Sequence, residues 1–188
     1  GRQSIEMLQF VKRMSENGHA VIAGNHDNKL INFYKALNEG RIHVSSRSSS
    51  ETAMEFIKLE KDKQKDLYKW LLELNHYYVK DDFAFTHSGI TYFDPIDTPR
   101  SFCLYGDQRH KEDRENIDQD YDELKNKNIN KHFLIRGHNS LTDTEQTSVV
   151  SLDNDIGFKG GTLNCLRLED CIEAKKQNPN ANLQNLII

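Results

Sequence analysis

Five side chains at four places in the chain could hold a divalent metal or move a proton: Asn25 with His26, His87, His138 and Asp153. Each place lies at or just past the end of a short apolar run. The runs are Ala20-Val21-Ile22-Ala23, Phe83-Ala84-Phe85-Thr86, His132-Phe133-Leu134-Ile135 and Ser148-Val149-Val150-Ser151-Leu152. Imidazole nitrogen with amide or carboxylate oxygen is a donor set for cations of the manganese, iron and zinc type. No thiolate stands among them, which argues against a cysteine-based structural zinc site. Cys103, Cys165 and Cys171 form no C-x-x-C pair and read as thiols of a reducing compartment.

Taken singly, these residues have ordinary readings. Asn25 alone is a helix cap, and Asp153 alone a turn residue. A lone histidine is usually a surface or satisfied core residue, which is the reading for His19, His43, His76, His110 and His132. His87 and His138 differ in having glycine close by, at Gly89 and Gly137, where the backbone can crowd a ligand or take a positive φ.

The elements that must position them alternate between helices and strands. Ile5, Leu8, Val11 and Met14 recur at helical spacing over residues 3–17, and Asn17-Gly18 stops that helix. The run 20–23 reads as a buried strand, followed by a helix from Lys29 to Leu37. Ser45 to Ser50 is a polar loop. Helices follow over 51–58 and 61–75, the second with Leu67, Trp70, Leu71 and Leu74 on one face. Residues 77–79 and 83–86 read as paired strands about Asp81-Asp82. Residues 101–105, 132–135, 148–152, 163–168 and 171–174 are further strand candidates. Residues 107–130 are charged and amide-rich, an exposed insertion partly helical near Tyr121–Lys125, or a lid. With helices in the first half and strands in the second, the class is α/β with mixed sheets. One domain spans 1–188. Strand ends of such sheets converge in space, so a common site is expected.

Composition narrows the function classes. No apolar run approaches the roughly 18–20 residues of a spanning helix. The N-terminal GRQSIEMLQF is not a signal peptide, so a cytoplasmic location is expected. The formal net charge of −4 gives no general attraction to nucleic acid.

The motifs are more specific together. A Gly-Asn-His-[Asp/Glu] tetrapeptide is expected on the order of once in a thousand chains of this length. Here Gly24-Asn25-His26-Asp27-Asn28-Lys29-Leu30 precedes Thr86-His87-Ser88-Gly89-Ile90 and Arg100-Ser101-Phe102-Cys103-Leu104-Tyr105-Gly106. Gly137-His138 and Leu152-Asp153 with Gly160-Gly161 follow. In these motifs and their order the chain resembles the calcineurin-like metallophosphoesterases. The nearer likeness is to the bacterial diadenosine-tetraphosphate hydrolases and the phosphatase module of bacterial polynucleotide kinase-phosphatase.

The resemblance implies a β-sandwich of mixed sheets flanked by helices, and a phosphatase or phosphoesterase acting through two divalent metals. Manganese is the first choice, with iron or zinc as alternatives. It implies that Asn25, His87 and His138 bind one metal and that His26 is the general acid for the leaving oxygen. It places Asp27, Arg100 and Asp153 around the site or on substrate phosphate. Such a metal pair clamps the attacking and leaving oxygens and neutralises phosphoryl charge. The implied substrates are a phosphoprotein, a dinucleoside polyphosphate or a nucleotide or RNA end.

Two family motifs, Asp-x-His and Gly-Asp-x-x-Asp-Arg-Gly, are absent from this sequence. Gly1 stands where the last glycine of the second would fall, so the chain is expected to lack the first strands and first-metal ligands. An intact parent hydrolase with a nearly inactive segment is the leading expectation. A metal-depleted binding module and the phosphatase module of an RNA-repair enzyme are the alternatives; the latter needs a P-loop, and none occurs here.

Overall fold

The structure, a computed structural model, describes residues 3–41, 50–90, 97–106, 132–138, 148–154 and 161–188. The sequence expectations for the loop at 45–50, save Ser50, and for the insertion at 107–130 lie outside these residues. The chain divides into two compact units, Gly1–Asn75 and His76–Ile188.

The first unit is helical. Helix α1 (Ser4–Glu16) carries Glu6 in its first turn and Arg13 in its last, both complementing the helix dipole. Its free N-terminal amides are met from a distance: the Glu55 carboxylate accepts from the N–H groups of Gln3 and Ile5, each at 3.2 Å. Gly18, at φ +91°, then turns the chain away. Helix α2 (Asn25–Asn38) starts four residues earlier than Lys29, with the Asp27 carboxylate accepting from Gly24 N–H at its head. Helices α3 (Glu51–Ile57) and α4 (Lys61–Glu73) follow. Ser50 caps α3 by accepting from Ala53 N–H at 3.2 Å. Fully buried Gln64 locks the turn between them, donating from Nε2 to the carbonyls of Ile57 (3.1 Å) and Leu59 (2.7 Å). Leu67, Leu71 and Leu74 are buried as their spacing requires, and Tyr34 packs edge-on against Phe56.

Residues 20–23 do not form the expected strand. Ile22 makes a single parallel bridge to Asn75, with Ala23 N–H donating to Asn75 O at 2.8 Å. Among the described residues no second partner extends the ladder, and an apolar run without a ladder stays an extended segment.

The second unit is built on a four-stranded sheet in the order β1-β2-β3-β4. Strands β1 (Tyr77–Lys80) and β2 (Phe83–Thr86) form an antiparallel hairpin. Strand β3 (Phe133–Arg136) lies parallel to β2, and β4 (Val149–Ser151) parallel to β3. Alternation sends Phe83, Ile135 and Val150 to one face, where they meet Cys171 and Leu183. Ala84, Leu134 and Val149 go to the other, with Ile90. The fold is thus mixed α/β with a mixed sheet.

Three expected strands are corrected. Residues 101–105 belong to helix α5 (Arg100–Tyr105). Pro99 starts it, its carbonyl accepting from Phe102 N–H (2.9 Å) and Cys103 N–H (3.2 Å), and Gly106 at φ +62° ends it. Residues 163–167 are irregular; Cys165 and Ile188 exchange backbone hydrogen bonds at 2.8 and 3.0 Å. Residues 171–174 lie inside helix α6 (Leu168–Gln177). Glu169 and Asp170 at its head and Lys175 and Lys176 at its tail are dipole-complementary. Those charges outweigh a short apolar run. A 3₁₀ turn, Leu183–Leu186, closes the described chain. No described helix is long and apolar enough to cross a membrane.

Candidate metal centre

The parallel register sets the geometry. Thr86 pairs with Arg136, and Arg136 with Ser151, so β2, β3 and β4 end in one row. His87 follows the first strand, Gly137-His138 the second and Leu152-Asp153 the third. All three candidate residues therefore leave the carboxyl edge of the sheet, where open α/β sheets gather their ligands. Two further bonds continue the pairing past the strands: Gly137 N–H donates to His87 O at 3.0 Å, and Leu152 N–H to Arg136 O at 2.7 Å.

The edge brings His87 and His138 into contact. His87 Nε2 and His138 Nδ1 stand 3.1 Å apart, with the rings tilted by 57°. The histidine backbone at 138 has φ +66°. Non-glycine residues seldom adopt this conformation, and those that do cluster at functional sites. Two readings of the contact are chemically distinct. One neutral imidazole can donate to the other, or both nitrogens can direct lone pairs at a shared cation. Ligand nitrogens about 2.0–2.1 Å from one metal, at angles between a right angle and tetrahedral, lie about 2.9–3.4 Å apart. The observed separation fits both a hydrogen bond and two ligands on one cation. Among the described residues no group of three or more His, Cys, Asp and Glu that could hold a metal ion is found.

Thr86 and Ser88 flank His87 in sequence. Both are almost completely buried, and their hydroxyls have no hydrogen-bond partner among the described residues. Arg100 opens α5 and is half-buried, as is Asp153.

Asn25, His26 and Asp27 lie in the first unit, in the first turn of α2. Asn25 is 8% exposed. Asp27 serves the helix locally, its Oδ2 accepting from Gly24 N–H at 2.7 Å. His26 is exposed. Partial desolvation, and then the nearby Lys29, hold its imidazole below the usual range, against the pull of Asp27. As it stands it favours the neutral form; a bound phosphate would oppose this.

Sequence reasoning missed two parts of this arrangement. It placed α5 as a strand, and it gave Ser88 no role beyond its place in Thr86-His87-Ser88-Gly89-Ile90. The signal for both was Pro99 before and Gly106 after a six-residue segment, the punctuation of a short helix. No family model and no curated protein matches the chain.

Proposed function

We propose that the protein is a metal-dependent phosphoesterase of the calcineurin-like type, hydrolysing phosphate esters with two divalent cations, manganese foremost. The observation that carries this reading is the His87–His138 pair, 3.1 Å between nitrogens, at the carboxyl edge of a parallel sheet. Motif order supports it independently: the paired residues are the ones the resemblance marks as ligands. The mixed sheet is compatible with the sandwich that the resemblance implies.

His87 and His138 would hold one cation through Nε2 and Nδ1. A divalent cation there supplies Lewis-acid stabilisation of charge on phosphoryl oxygens. With His138 in the left-handed region and its ring against His87, the ligand edge would be preset. The resemblance further assigns Asn25 as a ligand and His26 as proton donor to the leaving oxygen, a role worth about 10²–10⁴-fold. Phosphoproteins, dinucleoside polyphosphates and nucleotide or RNA ends are the substrate classes in play.

The chain contains no Asp-x-His, so the reading gives it ligands for one cation and expects binding rather than robust turnover. The test is a titration of the full chain with Mn²⁺ or Zn²⁺ alone. Wild type should bind, and His87→Ala and His138→Ala should each weaken binding by well over tenfold. Equal affinity in all three proteins would overturn the reading. p-Nitrophenyl phosphate separates the next step: robust turnover by this chain would overturn the one-cation reading.

A further inference from the structure

His87 stands on no regular element, since β2 ends one residue before it. Its place is fixed instead by the peptide that follows. The carbonyl of His87 accepts from Gly137 N–H at 3.0 Å, and the N–H of Ser88 donates to Cys103 O at 2.7 Å. One peptide unit is thus clamped between the end of β3 and helix α5.

Side chains complete the clamp from the α5 side. A Cβ added at Gly89 would fall 3.2 Å from Cε1 of Phe102, closer than most real contacts. A Cβ at Gly106 would fall 2.8 Å from the Ser88 hydroxyl oxygen. Both glycines are therefore gaps that another residue fills: Phe102 lies against the first, and Ser88 against the second. The contact between the loop and α5 has no slack at either point.

We propose that Phe102 is a positioning residue for His87, acting through Gly89, and that α5 is the element that sets the His87–His138 separation. The helix acts on the loop that carries one of the two imidazoles. This placement would exist whether or not the pair binds a metal, so it goes beyond the function proposed above. Its metal readout alone rests on that function.

The experiment uses the full chain and four proteins: wild type, Gly89→Ala, Phe102→Leu and the double variant. Gly89→Ala should push the loop off Phe102 and weaken Mn²⁺ or Zn²⁺ binding by about 10-fold, the usual scale for residues that orient ligands. It should also weaken the nuclear Overhauser contact between the His87 and His138 rings. Phe102→Leu alone should weaken both readouts by a smaller factor, because it removes part of the ring that Gly89 rests against. The double variant, with room restored, should recover both, and a merely structural loss would not show that recovery.

A double variant as impaired as Gly89→Ala overturns the proposal, as does a Gly89→Ala protein indistinguishable from wild type. Should Gly89→Ala fail to fold, Phe102→Trp crowds the same gap from the helix side and is read in the same way. Should wild type bind no metal, the function proposed above fails, and the ring-to-ring contact across the four proteins still decides this one.

Discussion

His138 holds a conformation, φ +66°, that costs an L-residue about 1–2 kcal/mol because Cβ crowds the carbonyl oxygen. Glycine escapes that cost. His138→Gly should therefore be more stable than His138→Ala by about 1 kcal/mol in urea denaturation, while both lose the ligand. Equal stability would mean that the turn relaxes once the imidazole is gone, and that the strain belongs to the side chain. The sequence pointed to this turn through Gly137, and the positive φ falls on His138 itself. A glycine marks where freedom is available, and only packing decides which neighbour uses it. The cysteines were easier to read. Burial raises the Cys103 thiol to about 11 and also raises Cys171, whereas Cys165 is exposed. A thiol reagent at neutral pH should label Cys165 at once, and Cys103 and Cys171 only on unfolding; fast labelling of all three would contradict the packing of α5 and α6.

The edge of the sheet shows how an element can be closed by a side chain. Gln184 mimics a strand: its Oε1 accepts from Ser151 N–H at 3.0 Å and its Nε2 donates to Ser151 O at 2.9 Å. β4 thereby gains a partner that satisfies both backbone groups two residues before Asp153. Replacing Gln184 by Ala leaves those groups without it, a cost of about 1–3 kcal/mol in denaturant unfolding, whereas Glu can accept but not donate and should be intermediate. A Gln184→Ala protein as stable as wild type would mean that water replaces the amide without loss. No pattern in the sequence announces this bond, because it joins residues 33 apart. Elements governed by local terms were legible: α1, α3, α4 and the β1–β2 hairpin follow from spacing and turn residues. Elements whose assignment turns on partners were not. The short apolar run within 101–105 suits a strand, yet Pro99 and Gly106 make it a helix. The run 20–23 has strand character, but Asn75 alone bridges it among the described residues. The placement of three candidate residues was legible for a related reason: they follow strand ends, and parallel register carries those ends to one edge.

Charge acts on the molecule through a group outside the candidate site. His76 begins the second unit, its ring edge-on to Tyr77. Desolvation, and then the positive Arg100, hold its pKa below the usual value, while a bond to the Thr98 backbone pulls the other way. The sign follows from linkage. Between the depressed native value and about 6.5, the unfolded chain binds the proton that the native state refuses. Stability is unaffected above about 6.5 and falls as pH drops through that window, then levels off below the native value. Removing the imidazole removes this contribution and leaves those of the other histidines. His76→Gln, whose amide can still donate to the Thr98 backbone, should therefore lose less stability than wild type between pH 7.5 and 5.5, measured as urea midpoints at both pH values. If the two proteins lose stability in parallel, Arg100 and the packing around His76 do not discriminate against the imidazolium. In that case acid sensitivity must come from groups with a larger difference between native and unfolded proton binding.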